Sequence, residues 1–107
     1  MRKESSTNFE NEQTLNQYCK ANKSLSLISG RWKLPVMFAL LEKDMLYTDF
    51  KQLLPNVSDR VLSKQLNELQ KDNLLSKEKA KTYSIYALTK KKRKIKDLLF
   101  ALAAFDI

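Results

Sequence analysis

The stretch Pro55-Asn56-Val57-Ser58-Asp59-Arg60-Val61-Leu62-Ser63-Lys64-Gln65-Leu66-Asn67-Glu68-Leu69 decides how this chain folds. Pro55 and Asn56 signal a turn. The Ser58 hydroxyl is suited to accept a backbone N–H at the start of a helix. Asp59 adds negative charge at the positive end of the helix dipole. Val61, Leu62, Leu66 and Leu69 then recur at helical spacing and predict one buried stripe. The opposite face carries Arg60, Ser63, Lys64 and Asn67, with Gln65 at the margin. Arginine and lysine suit guanine O6 and N7, and asparagine suits adenine N6 and N7. Ser58 and Ser63 can hold phosphate oxygens. An ordinary amphipathic helix with a hydrated face reads the same way, so the flanking sequence has to separate the two.

Upstream, Tyr47 to Leu54 reads as a short helix with Tyr47, Phe50, Leu53 and Leu54 on one side, ended by Pro55 because the residue before proline avoids helical angles. Downstream, Leu74 to Lys79 and Tyr83 to Leu88 are strand-like. In the second run Tyr83, Ile85 and Ala87 form one face; Ser84, Tyr86 and Leu88 form the other. The join at Ala80, Lys81 and Thr82 has no Asn-Gly pair and no glycine, so the turn type stays open. Lys77, Lys79 and Lys81 alternate and are expected on one strand face. They suit phosphate or minor-groove contacts beside the helix, although lysine also keeps edge strands soluble. Thr89 is expected to cap a last helix to about Phe105, with Ile95, Leu98, Leu99, Leu102 and Phe105 as its apolar stripe. Its start carries Lys90-Lys91-Lys92-Arg93-Lys94, with Lys96 beyond. Positive charge there opposes the helix dipole, which nearby phosphates would offset; a solvated face is the plainer reading.

Residues 1–13 are polar, mixed in charge and nearly free of apolar side chains, and read as a flexible tail before a single domain over 14–107. From Leu15 the pattern is helical, with Leu15, Tyr18 and Cys19 on one face. A second short helix is expected over 24–29, and Gly30 interrupts it. A third, over 31–43, is apolar on most sides and should be buried by its neighbours. Trp32 within it reads as core packing. The order is five helices, two strands and a helix: mainly α with a small β-hairpin that must lean on the helices.

Composition narrows the function. The net charge of the 107 residues is +8. Residues 1–57 hold eight basic and six acidic side chains, and residues 58–107 hold twelve and six. The positive field therefore lies in the half that begins at the candidate reading helix, which points to a polyanionic partner. There is no histidine, a single cysteine and no Gly-rich phosphate loop. No catalytic triad, metal centre or cofactor is expected from this inventory, so the reading is a non-enzyme without cofactor or metal. No apolar run reaches membrane-spanning length, and no signal-peptide pattern is seen. One cysteine makes no intrachain disulfide. A soluble cytoplasmic protein is expected.

Taken in order, Cys19; Leu27-Ile28-Ser29-Gly30-Arg31-Trp32; Tyr47-Thr48-Asp49-Phe50-Lys51; Leu54 through Ser63; Leu66-Asn67-Glu68-Leu69; Asp72-Asn73-Leu74-Leu75; and Tyr86-Ala87-Leu88-Thr89 resemble the HxlR-type winged helix-turn-helix regulators, relatives of the MarR type. The resemblance covers about residues 19 to 105. Asn73 stands where the family usually has glycine, and asparagine tolerates the same left-handed backbone. The resemblance implies a homodimeric bacterial transcription factor, expected to act as a repressor, whose first and last helices build the dimer interface. Two reading helices would enter successive major grooves of a palindromic operator in double-stranded DNA. Ser58, Arg60, Ser63, Lys64 and Asn67 would then contact DNA from the helix, and Lys77, Lys79 and Lys81 from the wing. It also places Cys19 where some members carry a redox-sensing thiol; a small buried hydrophobe is the other reading. The rival function is a protein-interaction winged helix that uses its basic face for an acidic partner.

Overall fold

The computed structural model describes the backbone of residues 2–105 and the side chains of residues 11–105. Five helices and three strands follow one another: α1 (Arg2–Ile28), α2 (Lys33–Glu42), β1 (Met45–Leu46), α3 (Tyr47–Leu53), α4 (Asp59–Lys71), β2 (Leu75–Lys79), β3 (Ser84–Leu88) and α5 (Lys92–Ala104). The strands form one antiparallel sheet in the order β1-β3-β2. This is the mainly α, winged-helix architecture expected from the pattern, with one strand more than the hairpin.

The extra strand pairs Met45 with Tyr86 and Leu46 with Ile85. Two residues are too short for a periodicity to register, so β1 is invisible in sequence. It matters because β3 becomes the central strand. Leu75 pairs with Leu88, Lys77 with Tyr86 and Lys79 with Ser84. Paired residues share a sheet face, and Tyr86 marks the inner one: it is buried and meets the Phe50 ring edge-on at 5.8 Å. The hairpin closes with the Ala80 N–H donating to the Tyr83 carbonyl at 2.8 Å. Among the described residues, Asn73 alone outside glycine has positive φ. The Lys81-Thr82 tip is therefore neither a type I′ nor a type II′ turn.

The core joins Val36, Met37 and Leu40 of α2, Phe50 of α3, Leu62, Leu66 and Leu69 of α4, Tyr86, and Ile95 and Leu99 of α5. Trp32 packs against it half-buried, as expected, with the Arg31 guanidinium 5.0 Å over its ring. Two expected core residues are not there: Leu53 is exposed, and so is Val61. Three leucines already fill the inward arc of α4, and Val61 lies at its edge.

The N-terminal half differs most from expectation. The two short helices are one, α1, of 27 residues and about 40 Å. Its backbone runs through most of the stretch expected to be a tail; the side chains of residues 1–10 lie outside the described ones. Residues 2–13 contain no glycine or proline to interrupt a helix. Leu15, Tyr18 and Leu25 are exposed, and among its described side chains α1 enters the core only at Ile28, with Leu27 beside it. The molecule accordingly measures 68 Å along its long axis against 31 and 25 Å. Thr89 is not the cap residue of α5, which starts at Lys92 with Lys91 at the cap position, but its Oγ1 accepts the Lys91 N–H at 3.4 Å just ahead of the helix. The same hydroxyl donates to the Asn73 carbonyl at 2.8 Å, tying the end of β3 to the turn after α4.

Candidate nucleic-acid interface

Local rules fix both ends of α4. At its start the Val61 N–H donates to Ser58 Oγ at 3.1 Å, the expected cap. At its end the Leu74 N–H donates to the Leu69 carbonyl and the Asn73 N–H to the Gln70 carbonyl, both at 3.0 Å. This pair is a Schellman closure, and it needs a left-handed residue. Asn73 provides it with φ of 61°.

Neighbouring helices then brace α4 from both sides. From α3, the Tyr47 hydroxyl donates to Asp59 Oδ1 at 3.1 Å and lies 3.4 Å from Ser63 Oγ. Lys51 Nζ reaches the Val57 carbonyl at 2.6 Å and Asp59 Oδ1 at 3.1 Å. The Lys51 hydrogen bond, then that of Tyr47, hold the Asp59 carboxyl below the usual carboxylate range. From α2, Lys33 Nζ pairs with Glu68 Oε1 at 2.9 Å, and this contact lowers the Glu68 pKa. Lys33 is buried, a role its sequence context does not announce. Gly30 makes room beside it: its φ is 139°, and a Cβ there would stand 2.8 Å from Gln65 Oε1. That Gln65 oxygen is buried without a hydrogen-bond partner among the described residues.

What remains of α4 faces water. Ser58, Arg60, Ser63, Lys64 and Asn67 are all exposed. Arg60, Ser63, Lys64 and Asn67 line one open concavity with Glu68 and Lys71. Sequence reasoning misses the last two, although both continue the same helical face at three- and four-residue spacing. Two ion pairs are seen among the described residues, Lys33–Glu68 and Lys51–Asp59. Arg60, Lys64 and Lys71 thus present their charge outward.

The wing lysines are exposed but not equivalent. Lys77 and Lys79 share the sheet face of Tyr86 by register, with Lys77 Nζ 5.7 Å from its ring centre. Lys81 sits in the turn, outside the ladder, so the three do not lie on one strand face. Lys90 through Lys94 are exposed at the start of α5. Lys91 and Lys94 flank an apolar pocket that includes Leu27, Ile28, Met37 and Leu98. Cys19 is an exposed thiol on α1 in the single chain. Among the described residues no acidic, histidine or cysteine cluster could hold a metal ion, and no helix is long and apolar enough to cross a membrane.

Known proteins resemble this chain in sequence and in fold. The chain is 37% identical over 67 residues to YdzF of Bacillus subtilis (strain 168), an uncharacterized HTH-type transcriptional regulator; the match spans 57% of this chain and 62% of YdzF. The chain therefore covers less than two thirds of that relative. A crystal structure described as a transcriptional regulator of the MarR family from Enterococcus faecalis V583 superposes with a TM-score of 0.77 at 28% identity, covering 82% of this chain and 83% of that one. The redox regulator HypR in its oxidized form has the same fold, with a TM-score of 0.75 at 22% identity over 81% of this chain and 93% of that one. The family model for the HxlR-like helix-turn-helix matches residues 27–106, from the end of α1 through α5. The chain belongs to the HxlR-like helix-turn-helix family.

Proposed function

We propose that this protein is a transcriptional regulator that reads a specific duplex operator as a homodimer and acts as a repressor. The observation that carries the reading is the open face of α4, where Arg60, Ser63, Lys64 and Asn67 are exposed side by side, with Ser63 beside the Tyr47 hydroxyl and Asn67 beside the Gln70 amide. An α-helix fits the major groove, and these side chain types match base edges and phosphates. Lys77, Lys79 and Lys81 extend the positive surface onto the wing, where they would meet phosphates. Nothing in this scheme calls for catalysis.

The dimer rests on apolar surface left uncovered in the single chain. Leu15, Tyr18 and Leu25 are exposed on α1, and Leu98, Phe100 and Leu102 on α5, with Phe105 just beyond. So many large apolar side chains on the first and last helices fit a partner copy. Two reading helices would then engage half-sites about 10–10.5 bp apart, centre to centre. Cys19 lies among these side chains. In the redox reading, two Cys19 thiols, one from each protomer, join as a disulfide while giving two electrons and two protons to an oxidant such as diamide.

Titration with random-sequence duplex at two salt concentrations tests the core of the reading. DNA binding gives an affinity that falls steeply with salt. No duplex binding at low salt, with retention on an acidic protein instead, would hand the basic face to the rival function. DNA binding before and after diamide, in the parent and in Cys19→Ser, tests the thiol; equal responses remove it.

A further inference from the structure

We infer that Val61 is a specificity-determining residue whose methyl groups contact the C5-methyl of a thymine in the major groove. The inference rests on the operator-reading function proposed above. Val61 is 37% exposed, whereas Leu62, Leu66 and Leu69 on the inner arc of α4 are at most 1% exposed. It belongs neither to the buried core nor to the partly buried side chains packed on it.

Local helix chemistry does not ask for valine at this position. With Ser58 as the cap, Val61 is the third helical residue. A glutamate or glutamine there would complete a capping box with the serine, and either is a better helix former than valine. Val61 gives its backbone N–H to Ser58 and leaves about a third of its surface open to water. A local preference broken outside the core is expected at functional positions.

The position is also where a base contact belongs. Helix-turn-helix proteins meet base edges with the N-terminal residues of the reading helix. Val61 lies there beside Arg60, one turn before Lys64. Thymine is the base that shows an apolar group in the major groove. A β-branched side chain on a helix has one strongly preferred rotamer, so the Val61 methyls are already ordered before DNA arrives. A single exposed valine elsewhere on the surface would need no explanation; this one lies in the first turn of the reading helix, next to Arg60.

The test begins with duplexes that the parent protein selects from a random pool. Thymines of one half-site are then replaced singly by uracil, which removes only the C5-methyl. At one position uracil should weaken the parent about fourfold, the value of one buried methyl. Val61→Ala should lose that sensitivity, and Val61→Ile should keep it. A selected operator with no methyl-sensitive thymine, or one that uracil weakens equally for the parent and Val61→Ala, overturns the assignment and leaves operator reading intact. A parent that selects no sequence removes operator reading and this assignment with it.

Discussion

Lys33 Nζ lies 2.9 Å from Glu68 Oε1, and the two side chains meet at opposite degrees of burial: 7% of the lysine and 40% of the glutamate is exposed. The ammonium depends on this carboxylate, whereas the carboxylate also has water. Glu68→Ala should therefore lower the thermal midpoint by several degrees, because it strands a buried charge. Lys33→Met, of similar volume, should leave the midpoint close to the parent's. Thermal unfolding of the two variants checks the asymmetry. Equal drops in midpoint would mean that the pair acts symmetrically.

Acid should loosen α4. The carboxyls of Asp59 and Glu68 are both held below their ordinary values of 3.8 and 4.5. A carboxyl whose pKa is lower folded than unfolded stabilises the fold fully above the unfolded value. That contribution disappears as pH falls through the folded value. Stability should thus be flat above about pH 5 and decline below about pH 4. Urea unfolding from pH 7 to pH 3 measures this, and Asp59→Asn should flatten part of the decline.

Ser58 caps α4 and is expected from the sequence to contact DNA, and the two roles separate experimentally. Loss of the cap in Ser58→Ala should lower stability by about 1 kcal/mol, whereas Ser58→Gly should lose only a few tenths. If the hydroxyl also holds a phosphate, both variants should weaken DNA binding alike. Denaturant titration and duplex binding on the same samples read out the two roles.

At Asn73 the backbone dictates the outcome. With φ at 61°, Asn73→Ala should destabilise by about 1 kcal/mol, since an ordinary side chain resists the left-handed region. Asn73→Gly should be nearly neutral. Chemical denaturation of both variants is sufficient to check this.

Reading a base and neutralising a phosphate leave different signatures in DNA binding. Arg60→Ala should weaken operator binding by about 1–3 kcal/mol if it reads a guanine. Replacing Lys79 and Lys81 together with alanine should lessen the slope of log affinity against log salt by about 0.9 for each phosphate left without its lysine. Undiminished affinity in Arg60→Ala would show that α4 enters DNA by another face.

The reading helix is legible in the sequence because every cue coincides. Ser58 and Asn73 bracket it, three leucines set its inner arc, and the polar face follows by geometry. Legibility fails where a cue is local and the cause is tertiary. A two-residue strand such as β1 carries no period. Val61 looks like core by type, and only the packing of Leu62, Leu66 and Leu69 excludes it. Lys33 reads as a surface lysine until Glu68 is placed beside it from 35 positions along the chain. The long α1 divides, by pattern, at a polar stretch that a helix tolerates when little of it has to be buried. The basic hairpin is readable by composition, yet the place of Lys81 in its turn comes only from the pairing register.

The bracing of α4 from α3 on one side and α2 on the other would make the proposed reading element a stiff probe. A probe with no give of its own hands any misfit to its track. In the proposed complex the duplex would then have to bend, twist or open its groove to meet it, and steps that flex easily would do so with the smallest rise in energy. Base pairs that no side chain touches would thereby acquire a say in which sites are occupied.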